Sequence, residues 1–208
     1  MELAKTYRIE SARLIIRCYV PADAGKLLTA VNSSLEHLRP WIPWAQDYPQ
    51  EIEWTAKFIR QFRGQFDLGQ DAVYGIFDPQ EQALIGGTGL HNRVGKDARE
   101  IGYWINAGHI NQGYATEAVC ALIRTGFEIE GLARIEIHCD PGNTRSNKIP
   151  HKLGFHHEQT IKNSSTDREG RLRDENIWTL TSAQYAATTI RETPIKAYDF
   201  LGRPIPLP

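Results

Sequence analysis

The chain has 208 residues, 41% of them hydrophobic and 24% charged, with a formal net charge of −1. That length can bury one complete core with a tail attached, and the composition is that of an ordinary globular domain. Near-neutral charge without a long basic run excludes an electrostatic nucleic-acid or membrane footprint, and no apolar stretch approaches the ~20 residues that span a bilayer.

In chain order, residues 13–19 predict a first strand, and Pro21 opens a helix carrying Leu27, Leu28 and Val31. In residues 38–44 two prolines forbid a continuous helix, while Trp41 and Trp44 supply stiff amphipathic surfaces. Residues 51–66 read as a helix with Trp54, Phe58, Phe62 and Phe66 four apart, a spacing that more often marks a core face than a binding surface. Strands follow at 72–78 and 83–90, joined by the turn at Asp78-Pro79. Gly86-Gly87-Thr88-Gly89 within the second implies close backbone approach or a bulge; no helix follows, so it is no dinucleotide fingerprint.

The centre of the chain is residues 100–127. A strand, 100–105, leads through a polar loop into a helix whose Ala115, Ala118, Val119, Leu122 and Ile123 repeat as one buried face. Beyond lie a strand at 133–140, a short helix from Asn143 or Thr144 to Lys152, a strand starting near Phe155, a polar loop at 163–170 and a last strand at 174–180. Residues 181–208 end in Pro204-Ile205-Pro206-Leu207-Pro208, which precludes a helix and points to an extended tail. Residues 1–6 lack a secretory apolar core, so a cytoplasmic location is expected. Cys18, Cys120 and Cys139 are too few and too scattered for a disulfide framework, and buried thiols are the simpler expectation. The seven histidines show no zinc-ligand spacing, so no metal is expected.

A helix N-terminus carries unpaired amides and about half a positive charge, so it can hold a phosphate without a lysine. No Lys or Arg stands between Arg99 and Arg124, so a phosphate here would be held by peptide N–H groups around Gly113. Gln112-Gly113-Tyr114-Ala115-Thr116-Glu117-Ala118 resembles the pyrophosphate loop of the GNAT acyl-CoA N-acyltransferases, most of all the RimJ/RimL-type branch. Ile110 stands where that pattern has Gln or Arg. The Glu100-Ile101-Gly102-Tyr103-Trp104 strand, the Leu38-Arg39-Pro40-Trp41-Ile42-Pro43-Trp44 string, and Asn143-x-x-Ser146 followed by Lys152-Leu153-Gly154-Phe155 strengthen the likeness, which covers residues 8–181.

The resemblance implies one α/β domain at 8–181, with a mostly antiparallel mixed sheet flanked by helices and splayed strands at the coenzyme site, and a proline-containing tail at 182–208. It implies acetyl-CoA as cosubstrate, held by Gln112, Gly113, Tyr114, Ala115, Thr116 and Asn143 and by the backbone of Trp104, Ile105 and Asn106. A bulge near Gly102-Tyr103 would aim an N–H at the thioester oxygen. Trp41 and Trp44 would wall the acceptor pocket, unless they only plug the core. For proton transfer, Glu100 is the candidate base and Ser146 the candidate acid; the plainer readings are a sheet carboxylate and a capping serine. The family's usual tyrosine acid falls at Pro150, which donates nothing.

The expected reaction is direct acetyl transfer to a primary amine, either a protein N-terminus, ribosomal proteins included, or a small molecule. The partners are that amine and a second copy in a homodimer, with neither nucleic acid nor membrane. Rival readings are a non-catalytic acyl-CoA-binding or scaffold module, or the same chemistry with another acyl group such as succinyl. The latter requires a cation in the acyl pocket, with Arg39 or Arg93 as candidates.

Overall fold

The computed structural model describes residues 6–167 and 169–208. Its strands are β1 (Arg8–Glu10), β2 (Ile15–Cys18), β3 (Ala72–Phe77), β4 (Leu84–His91), β5 (Ala98–Ile105), β6 (Arg134–Cys139), β7 (His156–Thr166), β8 (Leu172–Thr181), β9 (Lys196–Tyr198) and β10 (Pro204–Ile205). They form one sheet in the order β10-β9-β1-β2-β3-β4-β5-β6-β8-β7. Every neighbouring pair is antiparallel except β5 with β6, which gives the mixed, mostly antiparallel sheet the sequence predicts.

Helices α1 (Ala24–Asn32), α2 (Leu35–Leu38), α3 (Ile52–Asp67), α4 (Tyr114–Arg124), α5 (Thr144–Lys152) and α6 (Ser182–Tyr185) complete the described chain with a few single turns. Alternation along the strands feeds two cores. On the first face Ile16, Tyr74, Ile76 and Ile101 pack with Ala118, Val119, Leu122 and Ile123 of α4. On the second, Ile15, Tyr19 and Phe77 pack with Leu27 and Val31 of α1 and Ile59 of α3. The aromatic stripe of α3 is less central than its spacing predicts. Thr55, Ile59 and Phe66 are the buried residues, while Trp54, Phe58 and Phe62 stack along the shoulder at 5.1 and 4.2 Å between successive ring centroids.

One local reading changes, and the extended tail finds its place. Residues 163–166, expected in a loop, continue β7, because their polar side chains lie on an exposed edge strand where no apolar alternation is required. The tail packs back on the domain: Tyr185, Ile190 and Ala197 are buried, and β9 pairs with β1 through Ile9↔Ala197.

Three glycines of the 86–89 run mark close approach. A Cβ at Gly86 would meet the Trp104 carbonyl oxygen at 2.1 Å, and one at Gly87 would meet the Trp104 indole nitrogen at 2.4 Å. At Gly89 the obstacle is the His91 ring, at 2.7 Å.

Candidate active site

The sheet opens in its middle. β5 pairs with parallel β6 only at Ala98↔Arg134, Arg99↔Ile135 and Glu100↔Glu136, and beyond Glu100 the two strands part. β4 stays in unbroken register with β5 from Gly86↔Ile105 to His91↔Glu100, so the expected bulge at Gly102-Tyr103 is absent. Loss of a neighbour, not an extra residue, frees the backbone.

Which groups are freed follows from one bond. Asn106 donates its N–H to the Ile85 carbonyl at 2.8 Å, and its own carbonyl accepts from His109 N at 2.8 Å. Hydrogen-bonding direction alternates along an antiparallel strand, so Trp104 turns with Asn106 toward β4, while Tyr103 and Ile105 present N–H and C=O to the gap. Of the three backbone partners expected for the coenzyme arm, Ile105 remains. Asn106 is committed to β4 and to its own loop, where its Oδ1 also accepts from Gly108 N at 3.0 Å. Tyr103 joins Ile105 without needing a bulge.

The gap runs toward the start of α4. Gly113 is the N-cap residue with φ 83°, and Asn111 before it has φ 62°. These left-handed residues curl the loop inward, and Tyr114, Ala115 and Thr116 begin the helix with amides that lack intrahelical acceptors. Gln112 is exposed and holds the loop weakly, its Nε2 lying 3.5 Å from the Gly108 carbonyl.

A cation does reach this loop, from the far end of the sequence. Arg13 donates Nε–H to Glu117 Oε2 at 2.7 Å and an Nη1 hydrogen to the Gln112 carbonyl at 3.1 Å, and its guanidinium lies 4.5 Å from the centre of the Tyr114 ring. Its Nη2 would be 3.5 Å from a Cβ on Gly113. Ser11 and the Arg13 backbone N–H also donate to Glu117 Oε1, at 2.8 and 2.9 Å. Glu117 therefore anchors the 11–13 turn beside the loop.

On the first face, Asn143 Oδ1 accepts from Ser146 N at 3.1 Å and caps α5. Ser146 Oγ lies 3.0 Å from the Tyr103 hydroxyl. Burial pushes the Tyr103 hydroxyl above its ordinary pKa, against the opposing effect of that hydrogen bond. Cys139 is buried beside them, its thiol raised to about 11 by burial, which leaves it protonated and inert. Pro150 is buried within α5.

On the second face, Glu100 is buried and both its oxygens accept from Arg93, at 2.6 Å each. Burial opposes its charge, but the Arg93 guanidinium, His138 and His91 outweigh that and hold its carboxyl below the ordinary value. A carboxylate so held is a poor proton acceptor. Beside it His91 Nδ1 lies 2.9 Å from Asp71 Oδ2, and His138 Nε2 lies 2.6 Å from Glu136 Oε2. Trp44 packs edge-on against Trp104 at 5.8 Å, on the face of Glu100, whereas Trp41 is exposed near Gly142 and 5.8 Å from the Arg173 guanidinium. Trp44 is half-buried and packs against the second core, whereas Trp41 does not. Arg39 donates to the Tyr48 carbonyl at 2.6 Å, so both cations considered for a second acyl carboxylate are engaged within the protein. Among the described residues no group of three or more His, Cys, Asp or Glu side chains is set to hold a metal ion, and no helix is long and apolar enough to cross a membrane.

Sequence reading missed Arg13, His91 and Asp71, and for Tyr103 it gave the backbone but not the hydroxyl. Tyr103 was within reach, since it alternates with Glu100 and must face the other side of the sheet. Arg13 and Asp71 reach the site only through tertiary pairing, for which spacing gives no signal.

The profile of the acetyltransferase (GNAT) domain family matches residues 13–156. The chain is 28% identical over 183 residues to the [ribosomal protein uS5]-alanine N-acetyltransferase of Escherichia coli (strain K12), covering 86% of this chain and 92% of that one. It is 30% identical over 145 residues to the putative ribosomal N-acetyltransferase YdaF of Bacillus subtilis (strain 168), covering 68% and 77% of the two chains. Its fold matches that of RimL, the ribosomal L7/L12 alpha-N-protein acetyltransferase solved with coenzyme A, with a TM-score of 0.75 at 22% identity over 82% of this chain and 95% of that one. The gap beyond Glu100, the amide-lined loop at Gly113 and these matches lead to one conclusion: the chain belongs to the GNAT family and is an acetyl-CoA-dependent N-acetyltransferase.

Proposed function

We propose that the protein transfers the acetyl group of acetyl-CoA directly to the N-terminal amine of a protein, with ribosomal proteins as the first class to test. The observation that carries direct transfer is the gap left where β5 and β6 part beyond Glu100, with polar groups on each face of the sheet beside it. Its first face bears the Ser146–Tyr103 hydroxyl pair, and its second bears Glu100, His91 and Trp44. An amine arriving on the second face meets an acyl carbon threaded through the gap, with a hydroxyl behind to protonate the departing sulfur. The E. coli relative acts on an alanine of a ribosomal protein, which supports a protein terminus as acceptor.

The residues present suit the coenzyme. Amides of Tyr114, Ala115 and Thr116 are placed for the diphosphate, and Arg13 supplies the guanidinium that Ile110 does not. Gln112 and Gly113 shape that loop, Asn143 holds the start of α5 against the gap, and Ile105 pairs with the extended arm. The Tyr103 N–H is the donor for the carbonyl oxygen, a contact typically worth ~3–4 kcal/mol in activation energy. Ser146 is the acid. Glu100 draws the ammonium form of the acceptor to the second face and stabilises positive charge there. Trp41 and Trp44 flank the approach, Trp44 on the Trp104 ring. The reaction belongs in the cytoplasm, where acetyl-CoA and ribosomes meet. The open outer edge of β7 offers a second copy its place to pair.

The test is thiol release from acetyl-CoA with short peptides beginning in alanine or serine, set against a panel of small amines. Calorimetric binding of acetyl-CoA is expected, with turnover of at least one such peptide. Binding without turnover of any amine would refute the enzymatic reading, and turnover of small amines alone would refute the protein acceptor.

A further inference from the structure

Glu100, on the central strand, is the candidate base that the sequence offers, and the structure points elsewhere. Both Glu100 oxygens are taken by Arg93. His138 is similarly occupied: Nε2 meets Glu136 at 2.6 Å, and Nδ1 faces Glu100 and Glu175 carboxylates at 3.6 and 3.7 Å. Each is surrounded by charge of the opposite sign and serves as counter-charge.

His91 is different. Asp71, in the turn before β3, directs Oδ2 to His91 Nδ1 at 2.9 Å and fixes itself by accepting Asn92 N on Oδ1 at 3.2 Å. With the Nδ1 proton given to Asp71, Nε2 keeps its lone pair, and among the described residues no hydrogen bond reaches it. The imidazole fills the space that two glycines of neighbouring strands leave open. A Cβ on Gly89 would meet Nε2 at 2.7 Å, and one on Gly102 at 3.1 Å. Gly102 immediately precedes Tyr103, whose amide faces the gap. Nε2 therefore rests on the second face of the sheet, beside the point where the acyl carbon would sit.

We infer that His91 accepts the proton the acceptor ammonium must lose before it attacks, with Asp71 as its positioning residue. This rests on the reading of the β5–β6 gap as the acyl-transfer site. The ammonium gives one proton to Nε2, and the freed nitrogen lone pair forms the C–N bond as the C–S electron pair leaves with sulfur. Ser146 Oγ gives its proton to the departing sulfur from the first face and is reprotonated by solvent. The second nitrogen proton and the one held by His91 pass to solvent on the second face, one net proton being released per turnover. The charged groups around the ring are Asp71 from the turn before β3, which bonds it, and Glu100 from β5, its cross-strand partner, with Arg93 from the loop after β4 and His138 from β6 held on Glu100. Asp71 and Glu100 favour the imidazolium that forms.

The test combines two measurements. The first follows the His91 and His138 ring resonances by NMR against pH in the free protein, wild type and Asp71→Asn. Loss of the carboxylate partner is expected to lower the His91 midpoint and leave His138 in place. An unchanged His91 midpoint overturns the proposal, whatever the acceptor proves to be. The second is kcat against pH, with acetyl-CoA and whichever alanine- or serine-initiated peptide the wild type turns over. The acid limb is expected to move in Asp71→Asn by the NMR shift, and His91→Gln to lower neutral-pH kcat by 10²–10⁴-fold. Calorimetric acetyl-CoA affinity should change less than twofold in both variants. A limb that persists in His91→Gln, or disappears only in His138→Gln, overturns the proposal. Absence of wild-type turnover with every amine refutes the enzymatic reading instead, and is seen before any variant is made.

Discussion

The Tyr103 hydroxyl stands 3.0 Å from Ser146 Oγ and 3.1 Å from the Ser146 carbonyl oxygen, bridging β5 to α5 across the first face of the gap. The single phenol proton is shared between the Ser146 carbonyl and Oγ, and while it points to Oγ the Ser146 proton is free to turn toward a departing thiolate. Burial keeps the phenol protonated at any working pH, so it orients and polarises and is not consumed.

Removing that hydroxyl therefore weakens an acid without removing it. Tyr103→Phe is expected to lower kcat about tenfold, and Ser146→Ala by the 10²–10⁴-fold typical of a lost general acid. The double variant should be little worse than Ser146→Ala, because both act on one proton. Steady-state kinetics with calorimetric acetyl-CoA affinity, which should change less than twofold, checks this. Additive losses would show that Tyr103 acts by another route.

Arg13 carries the second prediction. Its guanidinium has five N–H donors, and Nε, Nη1 and Nη2 each already use one, on Glu117 and the Gln112 carbonyl. Two remain for a phosphate oxygen. Arg13→Ala also leaves the Glu117 carboxylate uncompensated beside an anion. Because Arg13 is half exposed, the expected loss of coenzyme A affinity is about tenfold, the low end for a charge-assisted contact. Binding of pantetheine, which has no diphosphate, should be unaffected; an equal loss there would mean the substitution merely loosens the fold.

How much of this could be read from the chain follows from what each signal depends on. The β5–α4 unit and the α5 cap were legible, because apolar alternation, a 3.6-residue repeat and Asn143 before Ser146 are local patterns. β1, β9 and β10 were not, since strands of two or three residues carry no periodicity; β1 and β9 pair across 190 residues, as in Arg8↔Tyr198, and β10 only extends β9. In the site, Glu100 and Ser146 were legible as titratable or polar residues in a known pattern. Their partners Arg93 and Tyr103 decide what they can do, and that depended on side-chain direction.

Gly113 offers a test of the loop's backbone. With φ 83° it occupies the left-handed region, where a Cβ costs roughly 1–2 kcal/mol. The nearest atom to such a Cβ, Arg13 Nη2 at 3.5 Å, makes an ordinary contact, so the penalty is conformational. Gly113→Ala is expected to lower stability by that amount in urea unfolding and to weaken coenzyme A further than stability alone explains. Replacing Gly142, whose φ is unremarkable, should not weaken coenzyme binding in this way.

The Arg93–Glu100 pair makes stability depend on acid. Burial raises the Glu100 pKa, yet its hydrogen bonds from Arg93 and the charges of His138, Arg93 and His91 lower it further, and the folded value lies below the ordinary 4.5. A carboxylate with a depressed folded pKa contributes stability fully present above its unfolded pKa, and lost as pH falls through the folded one. Glu100→Gln keeps the size of the side chain and removes the charge, so wild type should be the more stable at neutral pH. The difference should shrink as pH drops below the ordinary carboxylate range and vanish once Glu100 is protonated. Arg93 is 59% exposed, so water screens part of the attraction and the neutral-pH difference should be modest. Urea midpoints for both proteins from neutral pH downward measure it. A difference that stays constant across that range would mean the two side chains contribute packing alone, and that the carboxylate draws no stability from its guanidinium partner.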